Sequence, residues 1–301
     1  MKLEIKNVAK AYKNKKVVNN FNMEMRTGEC VGLIGPNGAG KSTLIKMIAD
    51  IIKPDNGEII LNGTKITNMK KEIGYLPQYP AFYNWMTAKE TLEFMGQLSC
   101  VKKAELTLRI PEILRKVGLH GAQNDKVGTF SGGMKQRLGI AQALLHKPSL
   151  VIMDEPVSAL DPIGRREVLN IIQDIKKETT ILFSTHILND AEEICERFVV
   201  MKEGLKLEDT TTSQLIYRQN EDRLSLELAT NDLVWIDIVK TLPYVKEVKV
   251  MGKRLEIMVE NLSNNKKQLL SNAIEHNVDI MRFEIRRDTL EEIFLKMVVS
   301  E

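Results

Sequence analysis

The first residues, Met1-Lys-Leu-Glu-Ile-Lys, alternate apolar and charged side chains, the period of a strand with one face buried. Later apolar runs are short and unbroken, and each is followed by a longer stretch with helical spacing. Residues 30–34 precede a helix that starts at Lys41; residues 150–153 precede one near 161–176; residues 180–183 precede one over 187–197. This alternation predicts a mainly parallel sheet covered by helices.

The rhythm changes after about residue 222. Residues 224–228 read as a strand, and Trp235, Ile238, Val239 and Leu242 fall on one face of a helix. Strands over 245–250 and 255–259 are joined by a tight turn, Met251-Gly252-Lys253. Leu269, Leu270, Ala273 and Ile274 mark a second helix, and residues 280–285 a last strand. The order β-α-β-β-α-β predicts a small α+β domain of ferredoxin-like type. A terminal helix should follow, with Leu290, Ile293, Phe294 and Met297 on one face. Polar residues around 209–212 and 219–222 frame a short helix and mark the boundary, giving domains 1–218 and 222–301.

Composition sharpens this picture in three places. With 301 residues, 43% of them apolar, both domains can bury cores without a disulfide or metal staple. The three cysteines, Cys30, Cys100 and Cys195, are odd in number and unpatterned, and read as reduced, buried small side chains. The net charge of +3 is weak and mixed along the chain, which argues against nucleic acid as a partner. No apolar run approaches the roughly 18 residues of a membrane helix, and the N-terminus lacks a signal-peptide core. Any membrane span must come from another chain.

Candidate chemistry begins at Gly35-Pro36-Asn37-Gly38-Ala39-Gly40-Lys41-Ser42, followed by Thr43, which fits the spacing G-x-x-x-x-G-K-[ST]. The glycines let successive backbone N–H groups turn toward one anion, and the helix starting at Lys41 aims its N-terminal dipole at the same place. Lys41 can reach β- and γ-phosphates, and the Ser42 hydroxyl can coordinate Mg²⁺. About 110 residues on, Leu150-Val-Ile-Met-Asp154-Glu155 is an apolar run ending in two carboxylates. Its end lies where open α/β sheets bind ligands. Asp154 is expected to hold Mg²⁺, directly or through water, and Glu155 to act as general base on the attacking water. Adjacent strand residues face opposite ways, so the pair requires a turn, which Pro156 suits.

Phe130-Ser131-Gly132-Gly133-Met134-Lys135-Gln136-Arg137-Leu138 resembles the signature motif of ABC (ATP-binding cassette) proteins. Over the first 218 residues, the rest of that family's set follows in order. Tyr12 matches the aromatic that stacks on adenine. Gln78, in Tyr75-Leu-Pro-Gln78, matches the glutamine that touches Mg²⁺ and signals to a permease. Ser158-Ala-Leu-Asp161 resembles the loop that crosses the dimer interface, and His186, in Phe183-Ser-Thr-His186, the histidine that contacts the γ-phosphate. The resemblance implies a P-loop ATPase cassette with a helical subdomain, binding ATP and Mg²⁺. It implies catalytic roles for Lys41, Glu155 and His186, and a homodimer in which Ser131, Gly132 and Gly133 close on the γ-phosphate held by the other copy. It also implies a membrane permease as partner and a place at the cytoplasmic face of the cell membrane. Each side chain has a plainer reading alone: Tyr12 as a half-buried strand aromatic, His186 as a satisfied strand-end histidine, Ser131 as a helix N-cap. The signature departs from its common form at Phe130 and Met134, where leucine and glutamine are usual, and methionine cannot supply glutamine's hydrogen bond.

The ending Asp288-Thr-Leu-Glu-Glu-Ile-Phe-Leu-Lys-Met297 resembles the tail of ATPases paired with ABC-2-type export permeases, which serve antibiotic, drug, lipid or peptide efflux. Two other readings stay open: an importer ATPase whose C-terminal domain senses a ligand, and an ABC protein that remodels ribosomes or DNA. One P-loop and no heptad run speak against the last.

Overall fold

The structure is a computed structural model that describes residues 1–211, 213–214, 223–286 and 292. The chain divides into two compact units, Met1–Thr212 and Ser213–Glu301.

The first unit opens with a long antiparallel pair, β1 (Lys2–Tyr12) and β2 (Lys15–Arg26), extended by β4 (Asn56–Leu61) and β5 (Thr64–Lys65) in the order β2-β1-β4-β5. Alternation at the N-terminus puts Leu3 and Ile5 into the core while Lys2 and Lys6 stay in solvent. The second sheet contains β3 (Cys30–Ile34), β6 (Ile73–Leu76), β7 (Leu150–Asp154), β8 (Thr180–Thr185), β9 (Arg197–Lys202) and β10 (Leu205–Thr211), ordered β10-β9-β3-β8-β7-β6. The five strands from β9 to β6 are parallel, and β10 is an antiparallel edge. All residues of β3, β7 and β8 are buried, which is why residues 30–34, 150–153 and 181–183 read as unbroken runs without polar side chains rather than as alternating ones. Register brings Ile34 beside Thr185, Asp154 beside Ser184 and Leu76 beside Met153. The carboxyl ends of β3, β6, β7 and β8 therefore share one edge, where α/β sheets take their ligands.

Helix α1 (Lys41–Ile48) follows β3. Helices α2 (Ala88–Leu98), α3 (Lys103–Lys116) and α4 (Gly132–Leu144) pack on one another as a helical subdomain, and α5 (Pro162–Ile175) and α6 (Leu188–Ile194) follow β7 and β8. Two elements start firmly. Thr87 and Glu90 form a reciprocal capping box on α2, and Asp161 caps α5 just ahead of Pro162. Two expectations need correcting. α6 is shorter than the periodicity over 187–197 suggests, because Cys195 already has extended backbone and β9 starts at Arg197. Cys100 is exposed, whereas Cys30 and Cys195 are buried with their sulfurs 3.5 Å apart. The polar residues at 209–211 belong to β10, where Asp209 pairs with Arg197, and the first unit ends just after them, at Thr212.

The second unit contains β11 (Arg223–Leu228), α7 (Leu233–Thr241), β12 (Val245–Met251), β13 (Arg254–Val259), α8 (Leu262–Glu275) and β14 (Ile280–Arg286). Its antiparallel sheet runs β12-β13-β11-β14, the ferredoxin-like arrangement. Gly252, at φ 62°, allows the two-residue turn between β12 and β13. Trp235 is the largest fully buried side chain; its indole N–H donates to Asn272 Oδ1 at 3.0 Å and ties α7 to α8. Most of the short helix expected between 212 and 219, and the terminal helix through Leu290 and Met297, lie outside the described residues. No helix of the described residues is long and apolar enough to cross a membrane.

Candidate nucleotide site

The turn from β3 into α1 is held open by glycine. At Gly40, φ is 101° and a Cβ would lie 2.3 Å from Val17 O; at Gly35 a Cβ would lie 2.3 Å from Met201 O. Any side chain at either position would push the neighbouring strands away from the loop. The loop borders a cavity of 510 Å³ lined by Asn37, Gly38, Ala39, Gly40, Lys41, Ser42 and Thr43 from this turn. Gln78, Glu155, Ser158 and His186 line it from other elements. These residues, drawn from four segments spread between Asn37 and His186, converge on one space.

Charge is concentrated there. Lys41 is only 4% exposed, and its ammonium donates to Gly35 O at 2.6 Å and Pro36 O at 3.1 Å. Burial pushes its pKa down, against the pull of Glu155 and Asp154. Gly35 and Pro36 thus act through their carbonyls as the ammonium's cradle. Glu155 is the hub: its Oε1 lies 3.8 Å from Lys41 Nζ and 3.2 Å from His186 Nδ1, and its Oε2 accepts from Gln78 Nε2 at 3.0 Å. The same Gln78 amide reaches Ser158 Oγ at 3.3 Å, and Ser158 Oγ donates to Glu155 O.

Asp154 sits behind, buried, with Oδ1 accepting from Ser42 Oγ at 3.1 Å and Ser184 Oγ at 2.7 Å. A carboxylate joined to a serine hydroxyl at a phosphate loop is an oxygen donor set of the kind Mg²⁺ requires. The two acids face one region because Glu155 itself takes left-handed backbone, φ 46°. Proline at 156 biases its predecessor toward extended backbone, so this conformation is strained and must be held. Ser184 holds it: both its carbonyl and its hydroxyl accept from Glu155 N, at 3.2 and 3.0 Å. Sequence reasoning assigned no role to Ser184 or to Tyr75, whose phenol is pushed up to about 12 by burial and by the charge of Asp154. Both are placed by pairing with β7, a non-local relation that no local pattern encodes.

The remaining candidates lie elsewhere. Tyr12, at the end of β1, is 49% exposed, with the Lys10 ammonium 5.8 Å from its ring centroid, and does not line the cavity; Val17 does. Ser131 caps α4, its Oγ accepting from Met134 N at 3.2 Å, and Gly132 and Gly133 form the first turn. None of the three lines the Lys41 cavity. Ser131 and Gly132 are exposed, while Phe130, the variant first position of the signature, is a buried core residue. Asp161 serves as the α5 cap, its Oδ1 accepting from Gly164 N at 2.6 Å.

Comparison with known proteins agrees with this geometry. Residues 18–158 match the family model described as ABC transporter, and residues 217–298 match the one described as ATP-binding protein DrrA1-3-like, C-terminal domain. The chain is 42% identical to the ABC transporter ATP-binding protein YxlF of Bacillus subtilis, over 98% of this chain and 99% of that one. It is 31% identical to the Nod factor export ATP-binding protein I of Rhizobium sp. strain N33, over 99% of this chain and 97% of that one. Among solved structures, the dimeric post-hydrolysis state of the ATP-binding cassette MJ0796 with ADP and Pi superposes with a TM-score of 0.63 at 28% identity. The match covers 69% of this chain and 98% of that one. A glycine-rich loop facing two carboxylates at the carboxyl ends of a parallel sheet, and a relative matched along nearly its whole length, place the chain in one family: it is an ABC transporter ATP-binding protein, an ATPase subunit with a DrrA-like C-terminal domain.

Proposed function

We propose that this ATPase drives a membrane permease for export, working as a homodimer at the cytoplasmic face of the cell membrane. Backbone amides from Gly35 to Thr43 cradle the phosphates of ATP, and Lys41 leaves its carbonyl partners for the β- and γ-phosphates. Tyr12 stacks on adenine from outside the cavity described above. Mg²⁺ would be held by the Ser42 hydroxyl, the Asp154 carboxylate and the Gln78 amide oxygen, and would neutralise charge on the phosphates. Glu155 accepts a proton from the attacking water, and His186 steadies the γ-phosphate beside it. Ser131, Gly132 and Gly133 of a second copy supply the other half of the γ-phosphate site, with two ATP molecules between two-fold-related subunits.

Coupling to a permease is carried by one observation at Gln78. Its side chain joins Glu155 and Ser158 inside the site, and the next residue, Tyr79, begins an exposed aromatic patch. Trp85 is 68% exposed, and Tyr83 packs on it at 4.6 Å between ring centroids and against Phe94 at 6.1 Å. Phe82, by contrast, is only partly exposed. Large exposed aromatics next to a nucleotide-sensing side chain suit a helix presented by a membrane subunit. The direction of transport rests on the export role that names the Rhizobium relative, a Nod factor export ATP-binding protein matched over nearly its whole length. Changing Tyr83 to serine or Trp85 to glutamine should leave folding and basal ATP turnover intact while lowering co-purification with the permease, and transport with it. Wild-type recovery of the membrane subunit by both variants would put the docking surface elsewhere.

A further inference from the structure

His186 lies two residues ahead of α6, a helix of only seven residues with no side-chain cap on its N-terminus. A helix that short has little stability of its own. It packs against β3, β8 and α5, and α5 follows directly from the Ser158–Asp161 loop. Three α5 side chains and that of Lys176, just after it, reach across: Arg165 to Asp190, Arg166 to the Glu193 carboxylate, Gln173 to Glu193 O, and Lys176 to Ile194 O.

One of these contacts differs in kind. Asp190, in the first turn of α6, is 2% exposed, and its Oδ1 accepts both Arg165 Nε at 2.8 Å and Arg165 Nη2 at 2.5 Å. Its Oδ2 is buried and has no hydrogen-bonding partner among the described residues. Arg165 is therefore the main group that compensates this buried carboxylate; burial and the nearby Glu193 push its pKa up, and Arg165 and His186 pull it down. Arg165 is tied in turn to the loop before α5, since its backbone N–H donates to Asp161 O at 2.9 Å. The other contacts bind a half-buried carboxylate or backbone carbonyls toward the C-terminal end of α6, farther from His186.

We propose that the Arg165–Asp190 pair is a positioning device for hydrolysis. It locks the helix that follows His186 to the loop that follows Glu155, so the His186–Glu155 contact at 3.2 Å is fixed from behind and moves when residues 155–161 move. The inference rests on the hydrolytic roles proposed for His186 and Glu155. A rigidly placed group loses much of its effect when displaced by as little as 1 Å, by about 10²-fold in well-ordered sites.

The test compares Asp190→Asn, a neutral isostere, with Arg165→Met and with the double variant Arg165→Met/Asp190→Leu, which removes both charges. Melting midpoint, affinity for a non-hydrolysable ATP analogue, and kcat and KM for ATP are measured on each. The double variant should melt near the wild type, because no buried charge is left uncompensated, and should keep its analogue affinity and KM. Its kcat should nevertheless fall by about 10-fold or more, as should that of Asp190→Asn. A purely structural pair would give the opposite split, with kcat returning together with the melting midpoint, and that result overturns the proposal. If Arg165→Met does not fold, the other two variants decide. His186→Ala is run in parallel. Inactive His186→Ala beside fully active pair variants rejects this inference alone, whereas wild-type hydrolysis by His186→Ala rejects the reading beneath it.

Discussion

Two glycine-containing turns in this chain lead into helices, and they are furnished very differently. At Lys41 the turn sits among charged and hydroxyl side chains that already bond one another: lysine on its own loop's carbonyls, glutamate on histidine and glutamine, aspartate on two serines. At Ser131 the turn has a cap hydrogen bond, two glycines and an exposed helix N-terminus. The first has the groups for hydrolysis and lacks a cover. The second has the dipole and amides of an anion receptor, and none of the acid, histidine or glutamine side chains gathered at the first lines it. On the function proposed above, the difference teaches why neither end would serve as a site by itself: the two would complement each other across two copies of the chain.

The sharpest way to break the comparison is at Lys41. Lys41→Ala should abolish hydrolysis and remove most nucleotide binding, since the triphosphate loses the one buried cation of its cradle. Wild-type turnover by this variant, measured as phosphate release, would end the assignment of the first turn. Ser131→Arg should act on the other end. Nucleotide affinity at the variant's own Lys41 should be nearly unchanged, because Ser131 does not line that cavity, while turnover falls by on the order of 10²-fold as the large cation blocks the second receptor. Normal hydrolysis by Ser131→Arg would mean that the second turn is only a capped helix start.

How much of this was legible beforehand depends on whether a feature is local. The runs over 30–34, 150–153 and 180–183 announced buried strands because burial on both faces favours apolar side chains at successive positions. The order of elements in the second unit could be read from periodicity, although Ile274, placed on the second helix's apolar face, is exposed, and the two edge strands β12 and β14 bury no residue fully. The helices α2 and α3 were not legible: α3 carries Pro111 within its length, and its apolar positions are thinly spread among charges. The overlong expectation for α6 came from apolar spacing that continues through Cys195, where the backbone has already left the helix. In the site, types and order were visible, but the arrangement was not. Glu155 takes left-handed backbone against the bias imposed by Pro156, and Ser184 holds it there from a strand that only the sheet register brings near.

A smaller effect should come from His146, whose ring accompanies the end of α4. Burial lowers its pKa, Nε2 lies 3.0 Å from Ile73 O, and Nδ1 is buried without a partner among the described residues. The folded form binds a proton less readily than the unfolded chain, whose histidine titrates near about 6.5. Stability is thus full above that pH and is lost as pH falls below it toward the lower folded value. His146→Gln should flatten this part of the pH profile of the melting midpoint, by a few degrees at most between about pH 7.5 and 5.5. An unchanged profile would show that His146 does not contribute to acid sensitivity, without touching either nucleotide turn.

The composite site is tested most directly by its assembly. Glu155→Gln should bind ATP but hydrolyse it at least about 10²-fold more slowly, the usual size for loss of a general base. Intact ATP should then hold two copies together. Gel filtration of Glu155→Gln with ATP and Mg²⁺ should give a dimer, ADP should give a monomer, and adding Ser131→Arg to the same chain should return the ATP form to a monomer. A Glu155→Gln protein that stays monomeric with ATP and turns it over at the wild-type rate would contradict both the role of Glu155 and the pairing of the two turns.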